Sequence, residues 1–144
     1  MFGIILIGHG KIATGFASAL ELFGCTMDKG CRVIEFLPED SPEDVAKKLS
    51  EALDSLSNYD GTVIFTDIFF GTPYNMAVQQ KLHRPEEHIE IVAGANLTVI
   101  LETYMSRSSE ISDVVSNSVE LGKSQIILHE NNVASENEDD DDIL

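Results

Sequence analysis

Short apolar runs alternate with longer amphipathic stretches along most of the chain. Four runs have the length and composition of β-strands: FGIILIG, RVIEFLPED, GTVIFTDIF and HIEIVAGA. Continuous apolar runs of this length are typical of strands buried on both faces of a parallel sheet. Because stretches with helical spacing separate them, the pattern predicts an α/β domain with a mainly parallel sheet, a flavodoxin-like strand order and helices on both faces.

Apolar residues at helical spacing predict the helices between these strands. The first helix is expected to bury the stripe Ile12, Phe16, Leu20 and Phe23. The second begins after Ser41, which is expected to cap it with Asp44 in the capping-box position. Its expected buried stripe is Val45, Leu49, Leu53 and Leu56. Three further helices are predicted over NMAVQQKL, NLTVILETYM and ISDVVSNSVELGKS.

The run SQIILH is predicted as a fifth, short strand. Two helical segments precede it and an acidic stretch follows it. Three placements are therefore open: the edge of the sheet, an antiparallel pairing, or pairing with another copy of the chain.

With 144 residues, the chain has the length of one domain that can bury a core without disulfides or metals. Its formal net charge is -16, and seven of its 25 acidic residues lie from Glu130 onward, where there is no Lys or Arg. We therefore predict a domain over residues 1–129 and an acidic, disordered tail or linker remnant over residues 130–144. The remaining excess of acids disfavours nucleic acid and favours a partner with a basic face, and the alternative is a plain solvated surface.

Neither a membrane span nor a leader is expected. No apolar run reaches the roughly 18 residues that a membrane-spanning helix needs. The start MFGIILIG lacks the basic residues and the cleavage site of a signal peptide. Cys25 and Cys31 have neither redox nor zinc-ligand spacing, so they are expected to be reduced thiols. These features together predict a cytoplasmic protein.

Two loops carry the candidate chemistry. In an open α/β sheet, ligands bind beyond the carboxyl ends of the strands where the strand order reverses, here between the first and third strands. The first loop holds His9 between Gly8 and Gly10, and the third holds Asp67. A carboxylate that accepts a hydrogen bond from the N–H of one imidazole nitrogen fixes the tautomer and leaves the other nitrogen nucleophilic. His9 and Asp67 are therefore the predicted catalytic pair, and the alternative is a plain polar contact at the sheet edge.

Both loops open into helices, whose free N–H groups and positive dipole ends suit a phosphoryl group. The predicted phosphoryl-binding residues provide either close approach or hydroxyl donors: Gly10, Thr66, Gly71 and Thr72. No metal-ligand spacing involves His9, so no metal and no organic cofactor is expected.

Adjacent aromatic residues and the other histidines have simpler interpretations. Phe69 and Phe70 are either core and rim groups or, if exposed, a docking patch for a partner protein. The other histidines are expected at the surface: His83, His88 and His129.

Three segments in order, GIILIGHGKIATG, TDIFFGTPYNMA and VAGANLTVILE, resemble the IIA component of the mannose-family sugar phosphotransferase system. The likeness covers nearly the whole chain up to the acidic tail. It implies that His9 is transiently phosphorylated, that Asp67 is its hydrogen-bonding partner and that Thr72 places a hydroxyl near the phosphoryl group. The rest of that loop matches at Gly71, Pro73 and Asn75.

The resemblance also implies the partners and the assembly. The phosphate donor would be the phosphocarrier protein HPr, and the acceptor would be a IIB component, which serves the membrane components IIC and IID. A homodimer in which the last strand crosses to the other subunit would account for SQIILH. The implied function is a phosphotransferase step with a phosphohistidine, in the cytoplasm and peripheral to the membrane through the permease complex. The sugar is not predicted, because IIA does not contact it.

One departure and two alternative functions remain at this point. Phe70 stands where the family has a glycine, so it is expected to alter the loop conformation or the docking face. A relay subunit for a dihydroxyacetone kinase is the first alternative, although GHGK and NLTVILE match the sugar system better. A signalling receiver phosphorylated on Asp67 is the second. It would need an acidic pair after the first strand and a lysine after the fifth, and this chain has Gly-His-Gly and His129 there.

Overall fold

The computed structural model describes residues 1–27 and 29–130, which form a sheet flanked by helices. The strands are β1 (Gly3–His9), β2 (Cys31–Phe36), β3 (Thr62–Thr66) and β4 (Ile89–Val92). The helices are α1 (Ile12–Glu21), α2 (Pro42–Ser55), α3 (Thr72–His83), α4 (Leu97–Met105) and α5 (Ile111–Ser124). The predicted alternation of strands and helices is confirmed up to the end of α5. Within these ranges, no helix combines the length and the apolar character needed to cross a membrane.

The four strands run parallel in the order β2-β1-β3-β4, which is the predicted flavodoxin-like order. The chain goes outward from β1 to β2 and then returns past β1 to β3, so the strand order reverses between β1 and β3. His9 is the last residue of β1, and Asp67 directly follows β3. The topology therefore brings these two residues to the same end of the sheet.

The core lies in two layers, one on each face of the sheet. Successive side chains of a strand point to opposite faces. Ile4 and Leu6 accordingly pack with α1, α4 and α5, whereas Ile5 and Ile7 pack with α2 and α3. Residues 3–8 are all buried, as expected for a strand that helices cover on both sides.

Helix α1 buries a stripe that shares only Leu20 with the predicted one. Its buried residues are Ala13, Ala17 and Leu20. Ile12 is 42% exposed, and Phe16 is only partly buried. The two alanines let the helix lie close to the sheet, so the larger side chains flank the contact. The prediction for Ile12 was wrong because it selected large residues and passed over alanine.

Helix α2 begins as predicted. The Ser41 hydroxyl accepts a hydrogen bond from the Asp44 N–H, and the Asp44 carboxylate accepts one from the Ser41 N–H. Pro42 occupies the first helical position, where its missing N–H is harmless. The predicted apolar stripe is confirmed, because these residues are buried: Val45, Leu49, Leu53 and Leu56.

The fifth strand predicted at SQIILH is not formed by the single chain. Helix α5 continues to Ser124, and residues 126–130 have no regular secondary structure. The apolar residues of this segment are 78%, 76% and 85% exposed, in the order Ile126, Ile127 and Leu128. A strand needs a partner for its backbone groups, and one chain does not supply it here. The predicted acidic tail lies outside the described residues, apart from Glu130.

Asp40 holds the loop between β2 and α2. Its carboxylate accepts a hydrogen bond from the Leu37 N–H at 2.8 Å and pairs with Lys48 Nζ at 2.9 Å. These contacts, the backbone one first, lower the pKa of the Asp40 carboxyl below its ordinary value of 3.8. The folded state therefore binds this proton less readily than the unfolded state. The carboxylate stabilises the fold at neutral pH, and its contribution is lost as the pH falls through the folded-state pKa.

We expect Asp40→Asn to lower the thermal unfolding midpoint at neutral pH and to have little effect in acid, where the wild-type carboxyl is already protonated. Midpoints of both proteins measured across the acidic range check this expectation. A difference that stays the same at every pH would contradict it.

Candidate functional site

The His9 imidazole and the Asp67 carboxylate meet at the carboxyl ends of β1 and β3, although 58 positions separate them in sequence. Nδ1 of His9 lies 2.9 Å from Oδ2 and 3.2 Å from Oδ1 of Asp67. The His9 backbone N–H also donates to Oδ2 at 2.9 Å, and the Ile68 N–H donates to Oδ1 at 3.0 Å. Backbone donors therefore hold each carboxylate oxygen while the carboxylate holds the ring.

This contact assigns the tautomer of His9. A carboxylate accepts a hydrogen bond from Nδ1–H, so the neutral ring carries its proton on Nδ1 and has a free electron pair on Nε2. The His9 side chain is 43% exposed, whereas the Asp67 side chain is only 7% exposed. No group of the described chain hydrogen-bonds Nε2. The arrangement is that of a nucleophilic histidine held by a carboxylate.

Two glycines allow the pair to come together. A Cβ added at Gly8 would lie 2.3 Å from Ile12 Cγ2 and 3.0 Å from Asp67 Cγ. A Cβ added at Gly71 would lie 2.9 Å from Cε1 of His9. Both positions therefore need glycine for a steric reason, because a larger residue would displace one member of the pair.

Three of the four predicted phosphoryl-binding residues offer no free donor. The Gly10 N–H donates to the last carbonyl of β2 at 2.7 Å, and the Gly71 N–H donates to the carbonyl three residues earlier at 3.2 Å. Thr66 is 1% exposed, and its hydroxyl donates to the Val92 carbonyl at 3.4 Å. The structure thus buries the Thr66 side chain within the sheet, where it would not contact a ligand bound at the surface.

The free donors lie at the starts of α1 and α3. The first N–H groups of a helix have no intrahelical acceptor, which leaves those of residues 12–14 in α1 and of Thr72 and Tyr74 in α3. The Thr72 hydroxyl makes no hydrogen bond within residues 1–27 and 29–130. Gly10 instead provides the turn from β1 into α1, because its φ of 56° lies in the left-handed region that glycine adopts readily.

The loop between β3 and α3 displays an aromatic cluster, which comprises Phe69, Phe70 and Tyr74. The Phe69 and Phe70 ring centroids are 3.9 Å apart, and Tyr74 lies edge-on to both rings. Phe69 is 57% exposed and Phe70 is 68% exposed, so neither is a core residue. Phe70 has a φ of 62°, the left-handed conformation that favours glycine. Asn75 secures this backbone by donating to the Phe70 carbonyl at 3.2 Å.

We expect Phe70→Gly to raise the free energy of unfolding by up to about 1.5 kcal/mol. Relief of left-handed strain is worth about 1–2 kcal/mol, and the greater freedom of glycine in the unfolded state returns roughly 0.5–1 kcal/mol. Urea unfolding measures the difference. Phe69→Gly is the matched control, because Phe69 has no positive φ, and it should be destabilising. The expectation fails if Phe70→Gly is as destabilising as its control.

Phe36 is a site residue that sequence reasoning missed. Its ring centroid lies 5.4 Å from that of His9, at an interplanar angle of 61°. Phe36 ends β2 and is the register partner of His9 in the sheet. The sequence feature that could have identified Phe36 is its place as an aromatic residue at the end of the neighbouring predicted strand, two positions before Pro38.

His88 directly precedes β4, at the opposite end of the sheet from His9. Nε2 of His88 lies 3.0 Å from Glu90 Oε1 and 3.4 Å from Ser112 Oγ. Both partners approach the same ring nitrogen, so the ring cannot relay a proton between them as a hydrolase triad does. Over the described ranges, no group of three or more His, Cys, Asp and Glu side chains is arranged to hold a metal ion.

A flavodoxin-like sheet with an exposed, carboxylate-bound histidine at its strand reversal defines a class of domain suited to covalent chemistry on that histidine. The family model EIIA-man, described as the fructose IIA component of the phosphotransferase system (PTS), matches residues 3–120. The chain therefore belongs to this family of PTS IIA components.

Relatives and solved structures agree with this assignment. The sorbose-specific EIIA component of Lacticaseibacillus casei is 30% identical over 115 residues, covering 79% of this chain and 80% of that protein. The mannose-specific EIIAB component of Escherichia coli K12 is 30% identical over 92 residues, covering 62% of this chain but only 28% of that longer protein. The crystal structure of EIIA from Streptococcus agalactiae matches with a TM-score of 0.80 and 25% identity, covering 89% of this chain and 97% of that one.

Proposed function

We propose that this chain is a phosphocarrier that receives a phosphoryl group from HPr on Nε2 of His9 and passes it to a IIB component. The observation that carries the proposal is the contact between Nδ1 and Asp67, which leaves Nε2 unprotonated and available. The low exposure of Asp67 and its use in holding the ring support His9, and not Asp67, as the phosphorylated residue. A receiver-like function is correspondingly disfavoured.

The transfer step can be written with the groups of this site. Nε2 attacks the phosphorus of the donor, the bond between phosphorus and the donor nitrogen breaks, and its electron pair leaves with the donor. Nδ1 keeps its proton, and Asp67 stabilises the positive charge that the ring gains. Thr72 and the free N–H groups at the starts of α1 and α3 donate to the phosphoryl oxygens. Transfer to IIB repeats the step with His9 as the leaving group.

The exposed aromatic cluster supplies the proposed docking surface. Phe69 and Phe70 lie in the loop that follows Asp67, and aromatic side chains give large contact area in protein interfaces. Up to residue 129 the chain has 18 acidic and nine basic residues. Partners with an apolar centre and a basic rim therefore suit this face best.

The names of the relatives favour sugar uptake over a dihydroxyacetone kinase relay. Those relatives are named for mannose and sorbose, and the family model EIIA-man is described as a fructose IIA component. We infer that the IIB acceptor serves a sugar permease built from IIC and IID, with this chain in the cytoplasm beside it.

We further infer a homodimer that forms through the C-terminal segment. Arg32 and Lys48 donate to carbonyls on the free edge of β2, at 2.8 and 3.3 Å, which blocks pairing on that side. The edge at β4 and the exposed apolar residues 126–128 remain for a second copy to pair with. Sedimentation equilibrium should give a dimer for the full chain and a monomer for Ile127→Asp. A wild-type monomer would refute the homodimer.

Phosphorylation by purified components tests the main proposal. The chain is incubated with phosphoenolpyruvate, Enzyme I and HPr, and intact mass spectrometry follows the product. We expect one phosphoryl group per chain, labile in acid and stable in base, that maps to the peptide containing His9 and is discharged when IIB is added. No incorporation, or an acid-stable and base-labile phosphate, would overturn the proposal.

A further inference from the structure

The His9 ring has two close neighbours in addition to Asp67. The Phe36 ring makes a T-shaped contact with it, with the centroids 5.4 Å apart. The backbone at Gly71 is also in contact, because a Cβ there would lie 2.9 Å from Cε1. The ring therefore meets an aromatic side chain and a turn of backbone in addition to its carboxylate.

The bond at Nδ1 restrains only one side of the ring. Oδ2 and Oδ1 of Asp67 lie 2.9 and 3.2 Å from Nδ1, so either oxygen can accept the hydrogen bond from Nδ1–H as the ring swings. Nε2 lies on the far side of the ring from this pivot and is displaced by every such swing. Phosphoryl transfer depends on an in-line approach of the attacking atom, so contacts that stop the swing affect its rate.

Phe36 is itself held firmly. It pairs with His9 in the parallel register of β1 and β2, so the two side chains leave the same face of the sheet. Its carbonyl accepts the Gly10 N–H at 2.7 Å, which ties the end of β2 to the loop after His9. Its half-buried side chain packs against the core layer beneath α2 and α3.

We propose that Phe36 is a positioning residue for His9, whose ring holds the imidazole plane so that Nε2 faces the incoming phosphorus. This inference rests on the proposed phosphorylation of His9. It adds a residue that acts through the histidine and not on the phosphoryl group.

Two substitutions at Phe36 and one matched control test this role. Phe36→Leu keeps an apolar side chain but removes the aromatic ring, whereas Phe36→Tyr keeps the ring. Phe23→Leu makes the same change at a partly buried phenylalanine that packs against the other core layer. Phosphorylation by phosphorylated HPr is measured as a function of the concentration of each variant. In parallel, ¹³C relaxation of the His9 ring carbons measures its order without any phosphate.

We expect Phe36→Leu to lower kcat about two- to tenfold, which is the change in rate that corresponds to the interaction energy of one aromatic pair. KM should be unchanged, and the relaxation data should show reduced order of the His9 ring. Phe36→Tyr and Phe23→Leu should match the wild type in both measurements. A wild-type kcat or an unchanged ring order in Phe36→Leu would overturn the positioning role. If the wild type is not phosphorylated at all, the proposed function fails, and the relaxation measurement alone tests Phe36. Reduced order of the His9 ring only in Phe36→Leu then supports the positioning role, and unchanged order refutes it.

Discussion

Replacing His9 by glutamine is expected to abolish phosphoryl uptake. The glutamine amide nitrogen has no electron pair available to attack phosphorus, although the side chain stays polar and of similar reach. The fold should be retained, because His9 is exposed and belongs to neither core layer. Incorporation from phosphorylated HPr should fall by about 10³-fold or more, to the background of the assay. Transfer of labelled phosphate from phosphoenolpyruvate measures this loss.

His83→Gln is the matched control for this variant. It makes the same change at an exposed histidine that ends α3, the helix that starts beside His9 and runs away from it. The control should be labelled like the wild type. If His9→Gln is still labelled and His83→Gln is not, the phosphorylated residue is His83 at the end of α3.

The strands and helices could be predicted because each one carries its own local signal. The continuous apolar run of β1 indicates burial on both faces, and the capping box of Ser41 and Asp44 marks the start of α2. Right-handed crossovers then leave few ways to arrange parallel strands, so the strand order followed as well. The buried stripe of α1 was the exception, because Ala13 and Ala17 contribute through close packing and not through size.

The segment after α5 shows where local signals stop being sufficient. Ile126, Ile127 and Leu128 have the composition of a strand, yet they are exposed in the single chain. Strand formation depends on a neighbouring edge, and the sequence pattern does not say whether that edge belongs to the same chain. A local sequence pattern can therefore predict that a segment tends to form a strand, but not which strand it pairs with.

The contact between His9 and Asp67 was easier to predict than the contacts of the groups around it. Topology alone places the loops after β1 and β3 together, which was enough to join His9 and Asp67. Whether a loop N–H or a hydroxyl is free depends on hydrogen bonds that form only in the folded chain. For this reason Thr66 was assigned a donor role, although its buried hydroxyl already donates to the Val92 carbonyl. The contact of Phe36 required the strand register, which the sequence pattern does not specify.

Changing Asp67 to asparagine is expected to lower the rate of His9 phosphorylation by roughly 10²–10⁴-fold, although the nucleophile is still present. The Asp67 carboxylate accepts hydrogen bonds from the His9 N–H, the Ile68 N–H and Nδ1 of the ring. An asparagine has one acceptor oxygen, so its NH₂ group must face a backbone N–H on one side or the other. If the NH₂ donates to Nδ1, the ring proton moves to Nε2 and the nucleophilic electron pair is lost.

Two measurements separate this tautomer effect from the loss of a negative charge. ¹⁵N spectra of the His9 ring should show the proton on Nδ1 in the wild type and on Nε2 in Asp67→Asn. Glu39→Gln removes the same charge from an exposed position in the loop after β2, at the same end of the sheet, and should be phosphorylated at the wild-type rate. An equal loss of rate in the two variants would mean that Asp67 contributes only its charge. A normal rate in Asp67→Asn with the proton still on Nδ1 would mean that the amide oxygen suffices, and the requirement for a carboxylate would be wrong.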